Sequence, residues 1–191
     1  MIELSAPRRP ASIATLAALL LHDAQSRSET AAWLTSRRRF AHPADVACAG
    51  VDMNAVPVVV LSTAPKLVRA AERLVRSGAF GLIVIDLVGA RSCDRIPTAL
   101  LNRISALTRT HEATVLFLTE KDDDAPCISP LVSLRASASR RVASSADVPS
   151  MVCVDVLRDR DRPGLWRDTL PCATPASEED AHGPPPPEGC L

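Results

Sequence analysis

An α/β domain built on a mostly parallel central sheet with helices on its faces is the fold class this sequence predicts, and three features predict it. Strand-length apolar runs alternate with helix-length segments along residues 13–118, the pattern of strand–helix–strand units whose strands must lie parallel. Leu82, Ile83, Val84 and Ile85 run continuously apolar, as a central strand covered on both faces requires. From Cys172 onward Pro, Glu, Ser and Gly take over, ending in the run Pro184, Pro185, Pro186 and Pro187. Such a composition buries too little apolar surface to repay the entropy of ordering. The expected organisation is a core of residues 1–171 and a disordered tail of residues 172–191. A polyproline run in such a tail is also a potential docking element.

The elements follow in order. After a Pro- and Arg-rich start (Pro7, Arg8, Arg9, Pro10), residues 13–24 combine good helix formers with apolar side chains dense enough for a core helix. Residues 30–34 read as a short strand, followed by Arg37, Arg38 and Arg39 and by a weakly helical stretch, residues 43–49, that Gly50 ends. The β-branched run at residues 56–61 predicts a strand. A helix is predicted over residues 65–77, with Leu67, Ala70, Ala71 and Leu74 on one face and Gly78 as its stop. Residues 79–88 give the strongest strand signal and contain Asp86. Leu100, Leu101, Ile104 and Leu107 recur at helical spacing in residues 97–110, and residues 113–118 form the next buried strand. An acidic stretch, strands near residues 131–136 and 151–157, and an Arg/Asp-rich close complete the core.

Composition narrows the function classes. The chain has 191 residues, with 22 basic and 22 acidic side chains, so no global field favours phosphate polymers or anionic membranes. Six widely spaced cysteines, with no Cys-x-x-Cys pair and no secretory leader, point to reduced thiols in the cytoplasm and away from a zinc site. No apolar run approaches the roughly 20 residues of a membrane-spanning helix, so no membrane partner is expected. His22, His42, His111 and His182 are scattered without ligand spacing, and no nucleophile elbow or Gly-x-Gly-x-x-Gly turn is present.

The phrase Arg76-Ser77-Gly78-Ala79-Phe80-Gly81-Leu82-Ile83-Val84-Ile85-Asp86 resembles the RecA recombinase core, in which a helix ends in a Ser-Gly turn before the Walker B strand. Gly50-Val51-Asp52 is similar to the family's Gly-Val-Asp before its third strand, and residues 114–120 to the strand ending in its nucleotide-sensing glutamine. Val154-Asp155-Val156-Leu157-Arg158-Asp159-Arg160 is similar to a late strand of the form Val-Lys-Val-Val-Lys-Asn-Lys. The likeness spans residues 7–166. It implies a RecA-like sheet and, counting back from Trp33, places the phosphate-binding sequence on residues 7–15.

Those residues read Pro-Arg-Arg-Pro-Ala-Ser-Ile-Ala-Thr. A phosphate loop needs glycines so that backbone N–H groups wrap the phosphates, a lysine for their charge, and a hydroxyl for magnesium. Here the glycine positions are Pro7 and Ser12, the lysine position is Ile13 and the hydroxyl position is Ala14. The water-activating glutamate falls near Arg37 and the sensing glutamine on Glu120, leaving Asp86 at the Walker B position, either as a metal-site remnant or as a cap for the next turn. The resemblance thus implies no catalytic residues, no cofactor and no metal.

Short bacterial RecA-like proteins with eroded nucleotide sites form the ImuA group, and this chain is similar to them in length and layout. Membership implies a non-catalytic adaptor in damage-induced mutagenesis and translesion synthesis. Its expected partners are an ImuB-type polymerase homologue and RecA, with DNA contact weak or indirect. Arg158 and Arg160 keep the charges of a lysine pair that reaches a neighbouring protomer's nucleotide; the alternative is a solvated charge run with Asp159 and Asp161. Arg37, Arg38 and Arg39 offer a small basic patch or an ordinary surface, and Trp166 an interface anchor or a structural side chain. The contending functions are a SulA-type cell-division inhibitor and a residual RecA-like ATPase.

Overall fold

Strands β1 (Ile2–Ala6), β2 (Ala31–Thr35), β3 (Val58–Val60), β4 (Leu82–Asp86), β5 (Thr114–Glu120), β6 (Leu134–Arg141), β7 (Ser150–Asp159) and β8 (Trp166–Cys172) occur in chain order with helices α1 (Ala11–Ser26), α2 (Ala64–Ser77) and α3 (Thr98–Thr110). They form one sheet ordered β3-β2-β4-β5-β1-β6-β7-β8. The computed structural model describes residues 1–7, 11–37, 49–141, 150–162 and 164–172. Pairing is parallel from β3 through β6 and antiparallel for β6–β7 and β7–β8. The protein is therefore an α/β fold with a mostly parallel central sheet flanked by helices.

The winding fixes where the helices lie. From β1 the chain crosses β5 and β4 to reach β2, whereas β3 to β4 and β4 to β5 run back the other way. Because crossovers between parallel strands are right-handed, opposite directions place their helices on opposite faces. Two cores result. Leu4, Trp33, Val84, Leu116 and Val156 pack with Ile13, Ala17 and Leu21 of α1. Leu34, Ile83, Ile85 and Phe117 pack with Leu67, Ala71, Leu101 and Ile104 of α2 and α3. Alternation along β2, β4 and β5 feeds both cores, so a continuous apolar run was required there.

Gly78 ends α2 at φ +68, its N–H reaching the Val75 carbonyl. A Cβ there would stand 3.1 Å from His111 Nδ1, so the left-handed turn and the close approach both call for glycine.

Two strands depart from the sequence expectation. Residues 2–6, ahead of the Pro/Arg-rich start, form the strand between β5 and β6, with Glu3 fully buried in its middle. The Arg/Asp-rich close contains the edge strand β8, which runs to Cys172. The helix expected at residues 43–49 lies outside the described residues except for its last position, a turn, and the tail from 173 lies outside them entirely. Among the described residues no helix is long and apolar enough to cross a membrane.

Candidate functional site

In a doubly wound sheet, ligands gather at the carboxyl ends of the strands where the winding reverses. Here that place is the end of β1, β5 and β4. β1 stops at Ala6, Pro7 is exposed, and α1 begins at Ala11, around the place where the sequence resemblance expects a phosphate loop; residues 8–10 lie outside the described residues. The side chains opening α1 turn inward. Ser12 Oγ donates to the Ala138 carbonyl at 2.8 Å, Ile13 is 0% exposed within the α1-side core, and Ala14 is half-buried. The position at which a lysine would meet phosphate is committed to packing.

Asp86 ends β4 two strand spacings from β1, or about 10 Å. It is buried and both oxygens are engaged. Thr35 Oγ1 donates to Oδ2 at 3.0 Å and the Val88 N–H donates to Oδ1 at 3.1 Å. Burial pushes the carboxyl above its ordinary range, against the opposing pull of the Arg37 guanidinium and these two donors. Arg37 lies across the turn after β4, its Nε donating to the Val88 carbonyl at 3.2 Å and its N–H to Thr35 Oγ1 at 3.2 Å. A cation borne on the chain thus stands beside the carboxylate. Arg38 and Arg39 lie outside the described residues.

Beside Asp86, on the α3 side, a cleft of about 490 Å³ opens between the connection after β4 and the one after β5, walled by Leu87, Ala90, Ile96, Leu101 and Ile128 with Lys121 at its rim. Glu120, at the sensing position, is exposed on the same rim.

A buried ionic cluster shapes this rim, and the sequence reading missed it. Glu3 accepts from Thr119 Oγ1 and from the Ile128 N–H, both at 2.9 Å, and pairs with Lys121 Nζ at 2.5 Å. Arg135, beside Glu3 on β6, donates to the carbonyls of Asp122 and Ala125. Together they tie residues 121–128 to the sheet and leave Asp122, Asp123 and Asp124 exposed. That acidic turn repels a phosphate backbone.

No protein-family model matches this chain, and no curated protein sequence matches it. Among the described residues no grouping of three or more His, Cys, Asp or Glu could hold a metal ion.

The remaining candidates sit elsewhere. Because β7 runs antiparallel to β6, its end lies at the amino edge of the parallel strands, opposite the Asp86 crevice. There Arg158 Nη2 donates to the Pro130 carbonyl at 3.3 Å, and Arg160 donates to the same oxygen. Trp166, 37% exposed, carries the Arg162 guanidinium 5.8 Å from its ring centroid. Arg37 joins Asp86, whereas Arg158, Arg160 and Trp166 form a separate group on the far edge.

Proposed function

We propose that this protein is a non-catalytic RecA-like adaptor in DNA-damage-induced mutagenesis, with an ImuB-type polymerase homologue as its principal partner and RecA as a second. One observation carries the non-catalytic part. Ile13, at the lysine position, is sealed in the core, and that core has no room for the charge a triphosphate needs. Arg37 beside Asp86 supports the same reading, since a cation fixed there opposes a magnesium ion electrostatically. The RecA-like part rests on the sequence phrases, together with a strand at Ile2–Ala6 followed by a helix at Ala11–Ser26 and an aspartate ending β4, where the resemblance expects them.

Such a domain works by shape. Arg158 and Arg160 each use part of a five-donor guanidinium on Pro130, leaving donors for a phosphate on an adjoining RecA protomer.

Calorimetry with magnesium-ATP is expected to show no binding in the micromolar range; micromolar affinity overturns the non-catalytic reading. Pull-downs are expected to retain the polymerase homologue and RecA but not FtsZ, with Arg158→Ala/Arg160→Ala weakening RecA alone. Retention of FtsZ in place of both partners would assign the protein to cell-division inhibition.

A further inference from the structure

We propose that the α1-side face of β8, centred on Trp166 and Leu170, seats this chain's own proline run, Pro184 to Pro187. This inference stands independently of the RecA-like reading.

The register places Trp166 opposite Val156, Asp168 opposite Val154 and Leu170 opposite Val152. Opposed residues in an antiparallel pair share a face, and Val152 and Val156 belong to the core beneath α1. Trp166 and Leu170 therefore face the α1 side, yet they are 37% and 36% exposed, and neighbouring Leu165 is 77% exposed. Helix α1 packs chiefly on β6, β1, β2, β4 and β5. Arg162 lies over the indole, and Asp168, between the two apolar residues, accepts from the Thr169 N–H at 2.8 Å. The face presents two apolar side chains, with the Asp168 carboxylate between them and Arg162 against the indole.

Strand addition at this edge is disfavoured. Pro171 removes one N–H donor from β8, and Arg167 and Asp168 place charge along it. A face that offers an indole but a spoiled backbone edge suits a ligand that brings no strand hydrogen bonds of its own. Proline segments are that ligand: they present an apolar ridge, lack N–H donors and dock on aromatic shelves.

The chain supplies such a segment at the right distance. Pro184 follows Cys172, the last residue of β8, by twelve positions. From Cys172 back to Trp166 is roughly 20 Å of strand, and a twelve-residue span reaches up to about 40 Å. From Trp166 to Leu170 is about 13 Å along the strand, and four prolines in a left-handed extended helix cover about 12 Å. Fixed φ angles lower the entropy lost on docking, and tethering holds the run near its shelf at an effective concentration of about millimolar. A partner that uses Trp166 must displace it, which makes the tail a built-in competitor for this face.

Fluorescence tests the proposal in the full chain. The chain has two tryptophans, and Trp33 is fully buried, so acrylamide quenching reports on Trp166. Replacing Pro184, Pro185, Pro186 and Pro187 with serine is expected to raise the Stern–Volmer slope about two-fold, and Trp166→Phe is expected to abolish the quenchable emission. Equal slopes with and without the prolines overturn the proposal. Wild-type quenching that falls with protein concentration, alongside a dimer in sedimentation, would make a second copy the occupant and overturn it too. High salt that matches the proline substitution would assign the contact to Glu178, Glu179 and Asp180 instead, again overturning it.

Discussion

Placing at position 13 the lysine that the proposed reading expects of a phosphate loop, as Ile13→Lys, tests whether that position belongs to the core. Ile13 is 0% exposed, so the substitution forfeits the burial of a large aliphatic side chain, about 1.5–3 kcal/mol. An ammonium held in that core is disfavoured by up to 3–5 pK units in related cases, or about 4–7 kcal/mol at roughly 1.4 kcal/mol per unit. Snorkelling toward Pro7 recovers part of the loss, leaving about 4 kcal/mol or more. Since domains of this kind are stable by about 5–15 kcal/mol, Ile13→Lys is expected to be mostly unfolded or close to it. Ile13→Met, which keeps an unbranched stem without charge, should cost less than about 1.5 kcal/mol. Urea unfolding followed by circular dichroism measures both. If the lysine variant unfolds within about 1 kcal/mol of the methionine variant, position 13 is not committed to the core and the proposed non-catalytic reading fails.

The buried acids make two further predictions. Glu3→Ala leaves the Ile128 N–H without its acceptor and takes the counter-ion from Lys121, which keeps the Pro126 carbonyl, and is expected to cost about 3 kcal/mol, with fast hydrogen exchange at the Ile128 amide; a loss under about 1 kcal/mol would show that the loop is held by other contacts. Asp86 has a raised pKa when folded, so its contribution to stability is fullest below the ordinary carboxylate value and declines as pH rises through the higher, folded value. Asp86→Asn should flatten stability against pH across that window and leave the melting temperature at neutral pH unchanged or a few degrees higher, at about 2–4 °C per kcal/mol. A fall of more than about 4 °C would mean that the charge, through Arg37, is favourable on balance.

The central strands were legible because burial on both faces leaves a continuous apolar signature, as at Leu82 to Ile85, helix α2 because an apolar stripe and the Gly78 stop frame it, and α3 because its apolar stripe recurs at helical spacing. β1 was not. Its five residues include a glutamate, and Glu3 is tolerated only through Thr119, Lys121 and Ile128, partners more than a hundred positions away that no local window contains. The alternation of Ile2, Leu4 and Ala6 with Glu3 and Ser5 was the available cue. β8 was hidden for the opposite reason: an edge strand with little cover has no need of apolar residues, so Arg167, Asp168 and Pro171 disguise it. At the candidate site, Arg37 was singled out in the sequence by its place in the resemblance, but its seat on the Val88 carbonyl beside Asp86 depends on a turn after β4 that sequence spacing does not specify.

The two edges of the sheet carry different equipment. Pro7, the start of α1 and Asp86 belong to one, Arg158 and Arg160 to the other, and a rigid slab cannot fold its top onto its bottom. Bringing one set against the other takes two molecules placed end to end. Contacts of that kind join unlike surfaces and propagate as open rows, not closed pairs. On the adaptor reading proposed above, a copy whose upper end holds no nucleotide while its lower end carries two guanidinium groups would join the last unit of such a row and end it.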